Sequence, residues 1–421
     1  MEVIVLDNGL IGRGSHSYHL AKEVIRSLSS RQIPYRLFGT KSVEKQIIAE
    51  TGAIPHFGLS LYDHFGLVNI LDFIHRATRF GAEKKPSWGL GFTELKIVHF
   101  LNWYFKRELA SLPFDIWKSD NVVVIPGISQ NQIFGLLEFM KSLSVDQRPS
   151  VVCQLMFPPS WTPWNGISIH GEKLYREAFD QAAPLINKSL FFMTDNNVQH
   201  DLYLKTFGIE TDWLPIPFAI GEPAVKKPPL DSAPIKAGFF GYSKMEKGFH
   251  LLPETIELCR QQKQNVEFVI QIQHGMWERS TIETEQILRK MNGIRLLDGV
   301  MSSEDYYREM DNVDVLLLPY DPAVYGSRGS AIYTESVAAG RPVIATAETS
   351  IGQSILHGDA EGETFEIYTS AGFADAIRKL LARFGECKQR AMQRASAFAQ
   401  RHSGDSYVDV LLATHAKRCE R

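Results

Sequence analysis

The chain has 421 residues, of which 44% are hydrophobic and 22% charged, and its formal net charge is −3. That length exceeds one ordinary core and suits two α/β domains, while a near-neutral charge without a basic block argues against a nucleic-acid partner. The longest apolar runs, such as Val122–Ile125 and Val315–Leu318, are strand-sized and far short of a membrane span.

The N-terminus runs straight into a predicted strand, Val3–Leu6, so no signal peptide is expected. Cys153, Cys259, Cys387 and Cys419 are scattered without C-x-x-C spacing, which reads as reduced thiols in a cytoplasmic protein. The first strand leads into a loop carrying Gly12 and Gly14, then a helical pattern with Leu20, Ala21, Val24, Ile25 and Leu28. A strand, a glycine turn and a helix start leave backbone N–H groups and the positive helix end facing one loop, which suits an anion. Tight-turn glycines at such a junction also need no ligand, and the dinucleotide pattern G-x-G-x-x-G is incomplete here.

Further strands are predicted at Tyr35–Phe38, Val122–Ile125, Val151–Met156 and Leu190–Thr194, alternating with helical patterns as in parallel sheets with helical crossovers. Residues 51–111 are less regular and rich in aromatics, among them Tyr62, Phe80, Trp88, Phe100, Trp103 and Tyr104. They read as an insertion with its own small helical core; Trp103 and Tyr104 beside Lys106 and Arg107 also suit an acceptor-binding or membrane-surface element. The proline-rich, charged stretch from Gly221 to Pro234 lacks periodicity and reads as a linker. The expected organisation is therefore a domain over 1–220, a second over 235–395, and a C-terminal helix within 396–421. Val408, Leu411, Leu412 and Ala416 give that helix one apolar face, able to pack back on the first domain.

Strands in the second half are predicted at Ala237–Phe240, Val266–Ile272, Ile294–Leu297, Val313–Leu318 and Pro342–Ala345, and a long helical stretch from Phe373 to about Gln400. The first of these strands leads to Gly241, Ser243, Lys247 and Gly248, with a helix beyond. A lysine at a helix start past a strand's carboxyl end lies where ligands collect in open α/β sheets, and it can meet a diphosphate as a point charge. Val313–Leu318 ends in Pro319 and a polar loop through Arg328, Gly329 and Ser330, after which Ala331–Gly340 reads as a helix closed by glycine. The loop offers amides, a hydroxyl and a guanidinium fork to an anion, and Glu335 can accept hydrogen bonds from a vicinal diol such as ribose.

The segment from about 235 to 370 resembles retaining glycosyltransferases of the GT-B fold, family-4 type. Phe239 through Leu252, with Lys247-Gly248, looks like the family's G-R-x-x-x-x-K-G-x-x-x-L pattern. Gly299 through Tyr307, followed by Asp314 through Pro319, looks like G-x-x-x-x-x-x-L and A-D-V-x-x-x-P. Glu335 matches the second glutamate of E-x7-E. The departures are Ser327 at the first glutamate, Tyr242 at the arginine, and the absence of the family's N-domain histidine, where the Val151–Met156 strand offers Gln154. The resemblance implies two facing Rossmann-like domains with an interdomain cleft and transfer of a sugar, with retention, from a nucleoside-diphosphate sugar to a glycan, lipid-linked or small-molecule acceptor.

On that reading Lys247 and Arg328 are the catalytic candidates. Gly12, Gly14, Gly241, Ser243, Lys247, Arg328, Gly329, Ser330 and Glu335 form the donor side, and His16, Gln154 and Asp195 are acceptor-side candidates. Catalysis then rests on fixed cations and amides facing the leaving diphosphate. No D-x-D triplet occurs, so neither a metal ion nor another cofactor is expected. Rival readings are a GT-B epimerase or inverting transferase, and a catalytically degenerate nucleotide-binding or scaffold protein, which Ser327 and Tyr242 favour.

Overall fold

The protein is described by a computed structural model covering residues 1–13, 15–61, 88–162, 168–217, 233–274 and 281–420. The chain divides into two compact units, one comprising 1–217 with 403–421 and the other 218–402. Most of the expected linker, 221–232, lies outside the described residues, as do Gly14 and the 62–87 part of the aromatic insertion.

In the first unit the order is β1 (Val3–Leu6), α1 (His16–Ser30), β2 (Tyr35–Thr40), α2 (Lys45–Thr51), β3 (Ile54–Phe57), α3 (Trp88–Ala110), β4 (Val122–Ile125), α4 (Ile133–Ser142), β5 (Ser150–Gln154), α5 (Gly171–Ala182), β6 (Leu190–Thr194), α6 (Asn197–Phe207) and β7 (Asp212–Trp213). The sheet is parallel throughout, in the order β3-β2-β1-β4-β5-β6-β7. Its strands alternate sides with period two. Ile4 and Leu6 join a core with Leu136 and Met140 of α4 and Tyr175 and Phe179 of α5, whereas Val3 and Val5 join one with Leu20, Val24 and Leu28 of α1. Both faces being covered explains why these strands read as unbroken apolar runs.

In the second unit β8 (Ile235–Phe239), α7 (Leu252–Gln261), β9 (Val266–Ile272), α8 (Ile282–Lys290), β10 (Ile294–Asp298), α9 (Ser303–Asp311), β11 (Val315–Leu318), α10 (Pro322–Tyr325), α11 (Ala331–Ala338), β12 (Val343–Thr346), α12 (Ser350–Leu356), β13 (Gly362–Phe365), α13 (Ser370–Ala382) and α14 (Phe384–Arg401) follow in turn. This sheet too is parallel, in the order β10-β9-β8-β11-β12-β13. The same winding therefore occurs twice. Each sheet starts at its middle, builds outward to one edge, and returns to build the other.

Three strands carry no clear signal in the sequence. β3, β7 and β13 are edge strands, so half of each is solvated: Ile54 is exposed, Asp212 is exposed, and Glu363 and Thr364 are only partly covered. The long helix expected from Phe373 onward is two helices, because Arg383 leaves helical geometry at φ −129° and ψ 21°.

The chain returns to the first unit through α15 (Gly404–Cys419). Ser403 caps it, its side chain accepting from the Ser406 N–H at 3.1 Å. Tyr407, Val408 and Leu411 are fully buried in the α1 side of the first core, and Ser27 donates to Asp405 at 2.5 Å. Removing a buried leucine side chain costs its transfer energy plus a cavity. Leu411→Ala is accordingly expected to destabilise the first unit by about 2–5 kcal/mol, read as a lower urea midpoint for the full chain, with Leu356→Ala on an exposed helix position as the silent control.

Candidate functional site

In both sheets the chain reverses its winding between neighbouring strands, β1/β4 in the first and β8/β11 in the second. Ligands of open α/β sheets bind beyond the carboxyl ends of strands at such a reversal, where the two outgoing loops part and leave a crevice. The sequence candidates of the second unit fall on the two loops concerned.

After β8 the chain turns at Gly241, whose φ of +92° is left-handed and whose N–H donates to Gln271 Oε1 at 2.8 Å. A short helical turn, Met245–Lys247, follows and is closed by Gly248 in the left-handed conformation at φ +73°. A Cβ on Gly248 would fall on the backbone carbonyl of Pro319, well inside van der Waals contact. Only glycine permits both that φ and that approach. The contact seats the Lys247 turn on the end of β11. Lys247 Nζ then lies 5.7 Å from the centre of the Tyr320 ring and 3.0 Å from the point a Cβ on Gly241 would occupy.

The loop after β11 completes the arrangement. Tyr320 and Tyr325 are buried with ring centres 4.4 Å apart, and the Arg328 guanidinium sits 4.5 Å over the Tyr325 ring. Two aromatic faces thus lie between two cations, and each cation is attracted by a ring quadrupole. Burial, the chief cause, together with the nearby Lys244, pushes the Lys247 ammonium down to about 8, Glu246 opposing and Arg328 adding to the effect. Among the described residues no carboxylate forms an ion pair with Lys247. A partly desolvated ammonium without a partner gains from an arriving anion, which restores the interaction lost with water.

Ser330 caps α11, its hydroxyl accepting from the Tyr333 N–H at 3.4 Å and lying 3.5 Å from the Tyr320 hydroxyl. Glu335 lies one turn further on. Its carboxylate accepts from the Tyr306 hydroxyl at 2.8 Å, and burial, partly offset by that bond and by Arg341, pushes it up to about 7. Ser243 is placed differently from a ligand contact. It is fully buried; its hydroxyl reaches the Gln271 carbonyl at 3.4 Å and accepts from the Gln273 N–H at 3.0 Å, which ties the β8 loop to β9. Tyr242 is exposed beside Lys244, and Ser327 is buried.

In the first unit His16 opens α1, Gln154 ends β5 and Asp195 follows β6, all toward the carboxyl edge of the sheet. Burial lowers the His16 imidazole to about 4, with His19 adding to the shift, so it is neutral at physiological pH. Burial likewise raises the Asp195 carboxyl to about 7. Gln154 is fully buried and donates to the Leu214 carbonyl at 3.0 Å, while its Oε1 has no partner among the described residues. Gly12 lies against Glu44 in the loop before α1.

Sequence reasoning missed four residues at these edges. Asp7 follows β1 with Oδ2 unpartnered among the described residues, and burial raises it to about 6. Asn131, in the buried polar run Ser129–Gln132 after β4, has neither side-chain atom paired. Each buried unsatisfied group costs about 1–3 kcal/mol, a sum that a structure rarely carries without use. For Asp7, a carboxylate directly after an apolar strand was the available signal. For Gln271 and Tyr306, which act across the sheet and between helices, none existed.

Residues 234–383 match the family model described as "Glycosyl transferases group 1". The second unit is thus similar to glycosyl transferases of that group. Solved structures agree on the fold. The N-terminal domain of a Candida albicans trehalose-6-phosphate phosphatase aligns with a TM-score of 0.65 at 11% identity, covering 98% of this chain and 97% of that one. A Rickettsia africae glycosyltransferase aligns with a TM-score of 0.61 at 12% identity over 100% and 99% of the chains. An E. coli trehalose-6-phosphate structure bound with UDP-2-fluoro glucose gives 0.62 at 12% identity over 99% of each. No curated protein matches in sequence. The two Rossmann-like sheets are those of the GT-B fold, and the segment matching the family model spans β8 to α13 with Lys247, Arg328 and Glu335 inside it.

Among the described residues no group of three or more His, Cys, Asp or Glu side chains has an arrangement that would hold a metal ion. No helix among the described residues is long and apolar enough to cross a membrane. The seating of Lys247 depends on Gly248. Gly248→Ala is expected to destabilise the second unit by about 1–3 kcal/mol or more, since an overpacked backbone contact and a left-handed φ both oppose the added methyl; thermal denaturation of the full chain measures it, and an unchanged midpoint would contradict the contact.

Proposed function

We propose that the protein transfers a sugar, with retained anomeric configuration and without a metal ion, from a nucleoside-diphosphate sugar to an acceptor hydroxyl. The observation that carries this reading is the pair of cations, Lys247 and Arg328, flanking Tyr320 and Tyr325 at the β8/β11 reversal of the segment matching the family model. The UDP-2-fluoro glucose held by the E. coli neighbour, and the UDP and α-GlcNAc-glycerol of an S. aureus TarM structure of the same fold, support a nucleotide-sugar donor.

In the proposed reaction the glycosidic C–O bond to the diphosphate breaks and a bond to the acceptor oxygen forms on the same face. The acceptor proton leaves with the diphosphate. Charge builds on the departing phosphate oxygen, and Lys247, Arg328 and the amides at Gly329 and Ser330 stabilise it because they are held in place beforehand. The Gly241 turn gives the diphosphate close access to the backbone. Glu335 takes the ribose hydroxyls, and Ser243 keeps the β8 loop in register with β9. His16, Gln154 and Asp195 contribute to the acceptor, whose polar groups are met by the unpaired atoms at the first sheet's edge. A lipid-linked acceptor is supported by α3, where Phe100 and Trp103 are exposed and Arg107 lies 4.8 Å over the Trp103 ring. A second reading, a nucleotide-binding protein without transfer, is favoured by Tyr242 and Ser327 standing where the family pattern has arginine and glutamate.

The separating experiment is donor turnover. UDP-, GDP- and dTDP-sugars are offered, nucleotide release is followed, and NMR reads the anomeric configuration of the product. Nucleotide binding with no turnover of any donor would establish the second reading. Lys247→Ala removes a contact that strengthens in the transition state, so turnover should fall by about 10²–10³ with donor affinity changed less. Glu335→Gln weakens a contact made in both ground and transition states, so the donor Michaelis constant should rise by the equivalent of about 1.5–3 kcal/mol with turnover preserved.

Metal independence is checked separately. Activity is expected to be the same in EDTA as in Mg²⁺ or Mn²⁺, and a loss in EDTA restored by either ion would refute it.

A further inference from the structure

We propose that Tyr306 is a positioning residue that holds Glu335 in the orientation that accepts a ligand hydroxyl, and so sets the protein's preference for a ribose with its hydroxyls intact. The proposal rests on the reading of Glu335 as the ribose contact. Tyr306 stands where the family pattern has leucine, so this contact is a feature of this chain and not of the pattern it otherwise follows.

The geometry is a bridge between three elements. Ser302 caps α9, accepting from the Asp305 N–H at 3.1 Å, and thereby sets the first turn that carries Tyr306. The Tyr306 ring meets Phe240 edge-on, centres 6.0 Å apart, immediately before the Gly241 turn. Its hydroxyl then reaches across to α11 and donates to Glu335 Oε2 at 2.8 Å. The nearest guanidinium does not take that role. Arg341 pairs with Asp311 at 3.2 Å and donates to the Val313 carbonyl at 3.2 Å. Among the described residues the Tyr306 hydroxyl supplies the side-chain hydrogen bond that the Glu335 carboxylate receives.

That bond leaves the two carboxylate oxygens unequal. Oε2 is held by the phenol. Oε1 receives no hydrogen bond from a described residue and is not among the fully buried unpaired atoms, which makes it the oxygen left for a ligand hydroxyl. A carboxylate pinned through one oxygen loses the rotation about its last bond that would otherwise be frozen on binding, and preorganisation of this kind appears as affinity. A leucine at 306 would fill the space beside Phe240 but leave Glu335 free to turn. The ring anchors the hydroxyl to the same loop that carries Gly241, so the ribose contact and the diphosphate contact move as one body.

The test uses the full chain and isothermal titration with UDP, GDP and ADP, then with the 2′,3′-dideoxy counterpart of whichever binds most tightly. Tyr306→Phe keeps the ring against Phe240 and removes only the hydroxyl. It is expected to weaken the ribonucleotide roughly fivefold, the scale of the cost of ordering one side chain on binding, and to leave the dideoxy nucleotide unchanged. In the Tyr306→Phe/Glu335→Gln double variant the loss should match that of Glu335→Gln alone, since Tyr306 acts through Glu335. Where turnover is measurable, the loss should fall on the donor Michaelis constant. Equal weakening of both nucleotides would show a merely structural role and overturn the proposal, as would no weakening of either. Failure of every nucleotide to bind the parent would overturn the proposed function along with it, whereas parent binding that ignores the ribose hydroxyls would overturn the role of Glu335 and Tyr306 alone.

Discussion

The approach of Gly248 to the Pro319 carbonyl is the constraint from which the second unit's site follows. β8 and β11 pair through only two residues each, Ala237 with Val315 and Gly238 with Leu316, and beyond that point their loops would be free to diverge. The backbone contact closes that divergence at one place. It forces the turn before it to lie across the end of β11, and Lys247, the last residue of that turn, is carried over Tyr320. Tyr320 in turn packs at a tilt against Tyr325, and Tyr325 receives Arg328. One missing side chain thus places a cation, two rings and a second cation in sequence.

This arrangement is not the one that favours stability most. Lys247 is held where its charge is disfavoured, Glu335 where its ionised form is disfavoured, and in the first unit Asp7, Asn131 and Gln154 keep unpaired polar atoms inside. The apolar body of each sheet supplies the stability these groups do not. Asp7 and Lys247 lie beyond the carboxyl ends of β1 and β8, beside the point where the winding of each sheet reverses. Local rules are broken where a ligand would mend them, which is the usual distribution in functional folds.

The fold tolerates wide changes of sequence for a related reason. Structures sharing 11–12% of residues align over nearly the whole chain. A doubly wound parallel sheet asks only for short apolar runs separated by helices with one apolar face, and many sequences meet that condition. What distinguishes this chain is therefore carried by single residues on the loops and first helical turns: Tyr242, Tyr306 and Ser327 in the second unit, Gln154 in the first.

The amino-acid sequence by itself determined the class of fold, the central strands, the helix that closes the chain and the Lys247, Arg328 and Glu335 candidates. All of these depend on near-neighbour periods or on residues adjacent to strand ends. It left β3, β7 and β13 unmarked, because each is an edge strand of four residues or fewer, too short and too little covered to show a run or an alternation. It also could not order the strands, since the pairing of β1 with β4 or β8 with β11 depends on which connections can cross a sheet and not on composition. Tertiary structure alone decided that Ser243 braces a loop from inside the core, that α15 returns to the first unit, and that Tyr306 meets Glu335. Each of these joins residues distant along the chain through a hydrogen bond or a packed face, and such partnerships exist only once the backbone has been folded around them.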